Sequence, residues 1–429
     1  MRYLSGLESI LCYDDGIDVA ELTRHPERLE EDVSLVRATG LDWFRYPWRW
    51  HEIERQPGRY DWSSTDLAMQ ALRARGIAPV VDPCHHISIP AFLKGGFADP
   101  SFVDRYVDFV AAGAERYDWV TQYTLFNEPY PTTLFCGKTG FWFPYRTSDR
   151  DFVAMALNAA TAICRLSALL SQRPGFQSVH FETCEHHQGL DEDGRAWARR
   201  ENSMRFLVTD LILGRVNQDH PLYSWLVDNG LTGDRMRWFW REPAQIDILG
   251  LNYYAHSEMQ WRRGASGMES TRPSASPRGF RAVARDYVER YGRRVMLGET
   301  NIRGTPYERI TWLKYTLQEC EALCVDPGTA CAGYCWFPLW DSCAWARDLC
   351  RTAKTEPDPV GIYLLEPRTM RRLPSALSDC FRRLVKGEWT SRDIPAYRPT
   401  REMQSVLRGY EPFFAGWRWS DPPTEALAA

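Results

Sequence analysis

The strongest constraint on this chain is a rhythm. A short apolar run is followed by a longer amphipathic stretch, eight times over. Short apolar runs of this length read as strands buried on both faces. They predict strands near 3–11, 42–47, 78–83, 119–126, 177–183, 245–251, 293–299 and 331–337. The stretches between them carry helical spacing. Glu27 to Thr39 puts Leu29, Val33 and Val36 on one face and ends at Gly40, a residue suited to a left-handed C-cap. Ser64 to Arg75 repeats this with Leu67, Ala71 and Leu72 before Gly76, and Phe102 to Arg116 with Val103, Tyr106, Val110 and Ala114. Phe152 to Leu170 is the longest. Eight β-then-α units predict an α/β chain closed into a (β/α)8 TIM barrel. A doubly wound sheet usually shows a glycine-rich turn after its first strand, and Glu8-Ser9-Ile10-Leu11-Cys12 has none.

No linker or internal repeat divides the 429 residues, so one domain is expected over 1–419, with a flexible tail from 420 to 429. Basic and acidic residues nearly cancel, 52 against 56, leaving a formal charge of -4. That balance argues against nucleic acid and anionic membrane surfaces as partners. The most membrane-like stretch, Val153 to Leu170, is interrupted by Asn158, Arg165 and Ser167, and reads as a core-facing helix. The first residues lack the apolar stretch of a signal peptide. The 12 cysteines include no C-x-x-C pair, and the spacing of Cys331, Cys335, Cys343 and Cys350 fits no zinc pattern. A cytoplasmic protein with reduced thiols and no bound metal is expected. The 18 Trp suit either a dense core or platforms for sugar rings, whose C–H faces are apolar.

Loops after barrel strands lie at the face where chemistry occurs. The Arg-, Ser-, Pro- and Gly-rich Arg262 to Gly279, after the sixth strand, and Arg351 to Pro359, after the eighth, are expected to wall a pocket there. Two glutamates stand directly after apolar strand patterns. Glu128 follows Tyr123-Thr124-Leu125-Phe126-Asn127, and Glu299 follows Val295-Met296-Leu297-Gly298. They close the fourth and seventh strands, nearly opposite each other around a barrel of eight. Cleaving a glycosidic bond needs such a pair: one carboxyl protonates the leaving oxygen, the other attacks the anomeric carbon or activates water. A gap of about 5–5.5 Å implies retention of configuration, and one of about 6.5–9.5 Å implies inversion. The two must titrate apart. A cation beside Glu299, for which Arg45 is the candidate, keeps it ionised, and its charge then holds the proton on Glu128.

At this point the residues resemble a known family. Thr124-Leu125-Phe126-Asn127-Glu128-Pro129 resembles the T-F-N-E-P motif of family 1 glycoside hydrolases, the β-glucosidase-like retaining enzymes. Gly250-Leu251-Asn252-Tyr253-Tyr254 is similar to their G-x-N-Y-Y, and Gly298-Glu299-Thr300-Asn301 to their T-E-N-G. Trp43-Phe44-Arg45-Tyr46, then Trp50, resembles R-F-S-x-S-W, and Val81-Asp82-Pro83-Cys84-His85-His86 sits where they have Y-H-W. Gly333-Tyr334-Cys335-Trp336 resembles G-Y-x-x-W-S. The match runs in order from about residue 3 to about residue 410. The resemblance implies Glu299 as nucleophile and Glu128 as general acid/base, acting on a carbohydrate or glycoside without a cofactor. It implies Asn127 on the sugar 2-OH, Tyr254 on the nucleophile, His85 on a ring hydroxyl and Trp336 as the platform under the sugar, with Asn252 as a further substrate-binding residue. His85 and His86 also read as satisfied core histidines, and Tyr254 and Trp336 as barrel-mouth packing.

The pattern departs from the family in the residues that set specificity. Trp345 matches the Trp of a Glu-Trp pair after the last strand, but Ala344 or Cys343 stands where the Glu that reads the 4- and 6-hydroxyls is expected. Asp341 and Asp348 are the nearby acids. The family's early Gln is missing, and Glu8 is the nearest polar candidate. Losing a hydroxyl-reading group changes specificity strongly. His180, His186 and His187 surround the fifth strand with Glu182 and Glu185 between them, a patch suited to rim residues, a hydroxylated aglycone or a metal. Gly214 to Pro221 reads as a loop on the aglycone side. A retaining β-glycosidase, or a transglycosylase with the same site, is the leading expectation. A sugar-binding barrel without turnover and a metal-assisted hydrolase are the alternatives. The oligomeric state is left open.

Overall fold

The computed structural model describes residues 1–271, 277–325, 329 and 331–423. Eight parallel strands form a closed barrel: β1 (Arg2–Gly6), β2 (Trp43–Pro47), β3 (Ala78–Asp82), β4 (Gln122–Tyr123), β5 (Gln177–Thr183), β6 (Ile248–Asn252), β7 (Arg294–Thr300) and β8 (Cys331–Trp336). β1 pairs with both β2 and β8, so the sheet has no open edge. Helices follow the strands: α1 (Leu29–Thr39), α2 (Ser63–Ala74), α3 (Phe102–Arg116), α4 (Asp149–Leu170), α5 (Leu207–Ile212), α6 (Gly279–Tyr291), α7 (Pro306–Cys324) and α8 (Ala376–Val385). This is the (β/α)8 barrel that the rhythm predicts.

Local chemistry sets the helix ends. Gly40 closes α1 with φ 92°, where a side chain is strained. Ser148 caps α4 by accepting from Asp151 N, and Thr305 caps α7 in a reciprocal box with Glu308. α4 is long and apolar enough to cross a membrane, and most of its apolar residues lie buried in the core.

Side chains alternate across each strand. Leu4, Val80, Val179, Phe181, Ile248, Met296, Cys335 and Phe337 fill the barrel interior. Phe44, Val81, Leu249, Leu297 and Trp336 point outward into the larger core between strands and helices. One expected loop and the expected tail carry strand pairing. Glu258–Gly264 and Gly267–Thr271 form a hairpin that extends to His186–Gly189, while 272–276 of the expected Arg262–Gly279 loop lie outside the described residues. Trp419–Ser420 pairs with Ala396–Tyr397, so the expected tail begins inside a strand, and 424–429 lie outside the described residues.

Candidate active site

Arg45 points from β2 into the barrel. Its guanidinium lies 3.9 Å from the Phe181 ring centre and 4.7 Å from that of Phe337. Nη2 donates to Asn127 Oδ1 at 2.8 Å and to Asp82 Oδ2 at 3.4 Å, and Nη1 donates to Glu299 Oε1. Glu299 reaches this cation because β7 carries a bulge. Leu297 pairs with Leu251 and Glu299 with Asn252, so two residues of β7 oppose one of β6. The extra residue, Gly298, shifts the alternation by one and turns Glu299 inward. Tyr254 Oη donates to Glu299 Oε2 at 2.8 Å.

Glu128 arrives from the other side. β4 ends at Tyr123, short of the expected 126, and the chain bends so that Glu128 precedes the helix Pro129–Gly137 with φ 44°. Asn252 Nδ2 donates to Glu128 Oε1 at 2.9 Å. Asn252 thus bonds one glutamate while its backbone pairs with the other. The Glu128 side chain keeps 13% exposure, whereas Glu299 keeps 5%. Burial first, and the Glu299 charge second, push the Glu128 carboxyl up to about 8.

A second network lies beside them. His85 Nδ1 is 2.7 Å from Asp82 Oδ2 and its Nε2 is 3.0 Å from Glu8 Oε1. Burial alone lowers the basicity of His85, but the carboxylates of Glu8 and Asp82 outweigh it and hold the imidazolium up to about 10. Burial likewise opposes the charge on Glu8, yet His85 and backbone donors bring its pKa down to about 2. Glu8 also accepts from Ser9 N, Ile10 N and Trp345 Nε1, the last at 3.0 Å. Glu8, His85 and Trp345, drawn from three different strand ends, therefore meet as one cluster.

Two residues that the sequence reading did not assign to the site belong here. His86, in the position of the family's Trp, has φ 51°, places Nδ1 2.8 Å from Thr132 Oγ1 and brings Nε2 within 3.7 Å of Glu128 Oε2. Burial and the neighbouring His85 charge keep its pKa well below the ordinary value, so it faces Glu128 uncharged. Phe337, the residue after β8, fills the interior position beside Arg45. Strand alternation was the available signal for it, since Cys335 and Phe337 share a face.

Several expectations are corrected. Trp336 is not a platform: it points outward, fully buried, with Nε1 donating to Val360 O at 2.9 Å. Asp341 is held by Arg309 at 3.0 Å and by Gly361 N and Leu365 N, and Asp348 accepts from Thr352 Oγ1. Ala344, at φ 68°, is buried and leaves the family's Glu position without an acid. Gly214 to Pro221 lies at the opposite rim from the site. α5 before it ends where Ile212 O accepts Ala244 N, and Gln245 O beside that takes a bond from Ser178 at the start of β5. The His-Glu patch does not gather into one site: His180 bonds Thr209, His187 accepts from Trp261 Nε1 and lies 3.4 Å from Glu185 Oε2, and Glu182 is buried under the Glu128 turn. Of the four late cysteines, Cys335 lies inside the barrel and Cys331 at the start of β8 near Met1, while Cys350 contacts Cys343 O beside the β8 loop.

No protein-family profile matches the chain. It is 23% identical over 275 residues to beta-glucosidase 12 of rice (Oryza sativa subsp. japonica), covering 55% of this chain and 51% of that protein. It is 26% identical over 261 residues to a wheat (Triticum aestivum) chloroplastic benzoxazinyl glucoside beta-D-glucosidase, covering 52% of this chain and 44% of the other. The chain thus spans about half the length of the curated relatives it matches. The solved family 1 β-glucosidase of Thermotoga maritima superposes with a TM-score of 0.71 at 18% identity, covering 85% of this chain and 87% of that one, which shows a shared fold. Over about half its length the chain is thus similar in sequence to β-glucosidases, and it shares the (β/α)8 barrel of a family 1 β-glucosidase.

Proposed function

We propose that the protein is a retaining β-glycosidase that cleaves O-glycosidic bonds by double displacement. The observation that carries this reading is the unequal state of two neighbouring glutamates: Glu299 is ion-paired to Arg45, while Glu128 is pushed up to about 8. In the first step the Glu299 carboxylate attacks the anomeric carbon while Glu128 gives its proton to the departing oxygen. In the second, ionised Glu128 takes a proton from water, the water oxygen attacks the same carbon, and Glu299 leaves. Arg45 and Tyr254 each engage one oxygen of Glu299, which fixes the carboxylate plane for in-line attack. The similarity to β-glucosidases supports a β-linked sugar as substrate. The cluster of Glu8, His85 and Trp345 is placed to receive its hydroxyls in this reading, without the acid that Ala344 replaces. A cytoplasmic site of action belongs to the same proposal and is supported by twelve free thiols.

Incubation with a panel of activated 2-fluoro glycosides tests the assignment. An intact-mass shift that maps to Glu299 is expected. An adduct on another carboxylate, or full aryl-glycoside hydrolysis by Glu299→Gln, sinks it.

A further inference from the structure

The carboxyl of Glu182 takes part in no step above, yet it lies against the turn that carries Glu128. It sits at the end of β5 with 1% exposure. Its Oε2 accepts Tyr130 N at 3.0 Å and its Oε1 accepts Thr183 N at 3.0 Å. Tyr130 is the second residue of the helix that starts directly after Glu128. Glu128 itself, at φ 44° and ψ 59°, holds a left-handed conformation uncommon for a residue with a side chain. Its own N–H donates to the carbonyl of Phe181, the neighbour of Glu182, at 3.0 Å. Pro129, between the two gripped residues, has no N–H to offer. Two successive residues of β5 therefore hold both sides of the turn. The Phe181 bond acts through backbone alone, so Glu182 supplies the only side chain in this grip among the described residues.

We propose that Glu182 is a positioning residue for Glu128: by accepting the Tyr130 N–H it fixes the left-handed turn that aims Glu128 into the barrel. The proposal rests on the reading of Glu128 as the acid/base. The titratable groups that interact with Glu182 are Glu128 across the turn, Glu185 farther along the chain, and the phenols of Tyr130 and Tyr287. Its own hydrogen bonds come from backbone N–H groups. Burial first, then the charge of Glu128, raise its pKa well above the ordinary value. Both oxygens accept from backbone N–H groups, so a carboxamide, with a single oxygen to accept, keeps the bond from Tyr130 N only by giving up the one from Thr183 N. Aspartate keeps the acid but retracts it by one methylene from Tyr130.

The test is a carboxyl 13C NMR titration of Glu128 in the wild type, Glu182→Gln and Glu182→Asp, paired with kcat and KM on aryl β-glycosides. The titration reads the turn without any substrate, so it separates failure of this proposal from failure of the glycosidase reading. Glu182→Gln keeps the length and the acceptor for Tyr130 N but loses the bond from Thr183 N, so it is expected to lower the Glu128 midpoint by less than aspartate does. Glu182→Asp is expected to lower that midpoint by about one pH unit or more, as the freed carboxyl meets water. Its kcat is expected to fall about tenfold or more while KM stays within about threefold, the pattern of a misaligned group. The proposal is overturned if Glu182→Asp leaves the Glu128 titration and kcat at wild-type values, or if Glu182→Gln lowers both as far as aspartate does.

Discussion

Glu128 and Glu299 are the same amino acid, and their difference comes wholly from what each faces. Glu299 meets a buried guanidinium and a phenol hydroxyl; Glu128 meets an amide, an uncharged imidazole and the negative charge of its partner. The consequence is measurable as stability. Unfolded, Glu128 loses its proton near the ordinary value of 4.5, but in the fold it keeps the proton until about 8. Between those values the unfolded chain binds fewer protons, so this residue lowers stability progressively as pH rises. Glu128→Gln cannot titrate there. Urea midpoints measured at about pH 5 and about pH 8 are expected to show the variant gaining on the wild type as pH increases. A relative loss by the variant over that window contradicts a proton held on Glu128. In the proposed reaction the same proton sets an alkaline limb in kcat/KM near the Glu128 value, because only the protonated acid assists the leaving group.

At the scale of elements, the site depends on two departures from regular strands: the early end of β4 and the bulge in β7. A Cβ on Gly298 meets Asn252 Oδ1 at 2.5 Å, the Gly250 carbonyl carbon at 2.7 Å and the Phe181 ring at 2.7 Å. Backbone and ring have nowhere to move, so Gly298→Ala is expected to push β7 from β6 and cost about 1–3 kcal/mol by overpacking. It also draws Asn252 away from Glu128, so proposed hydrolysis falls more than stability does. A variant with unchanged urea midpoint and unchanged rate places the bulge outside the site's requirements. These departures mark where the sequence was readable and where it was not. The apolar runs located all eight strands, and α3 falls at its expected Phe102–Arg116 bounds. The phase of alternation at strand ends was the weak point. Trp336 looked like the exposed aromatic because of its type, but period-two geometry assigns the interior to Cys335 and Phe337. Gly214 to Pro221 was misplaced for a related reason: composition marks a loop but does not say which rim it occupies.

Across the whole molecule, closure of β1 against β8 makes the first and last barrel strands neighbours, and the helical layer is closed in the same way. Arg372 binds Asp32 of α1 at 2.6 Å and 2.7 Å, donates to Thr23 O at 2.7 Å and lies 4.7 Å from the Trp340 ring centre. Both partners of that ion pair are 1% exposed. Arg372→Ala leaves a buried carboxylate with His25 as its remaining ion-pair partner among the described residues, and a loss of about 3–5 kcal/mol is expected from denaturation followed by Trp fluorescence. A loss below about 1 kcal/mol, or a separate early transition of the C-terminal segment, argues against this coupling of the chain ends. Order of elements, helix caps and the two glutamates after apolar runs were determined by sequence alone, because propensity, capping and periodicity act over a few residues. How far burial and the Glu299 charge push the Glu128 carboxyl up, that Glu8 joins His85 and Trp345, and that Glu182 grips the Glu128 turn were decided only in three dimensions. Burial and Coulomb interaction depend on distances between residues far apart in the chain, and those distances exist only once the barrel has closed.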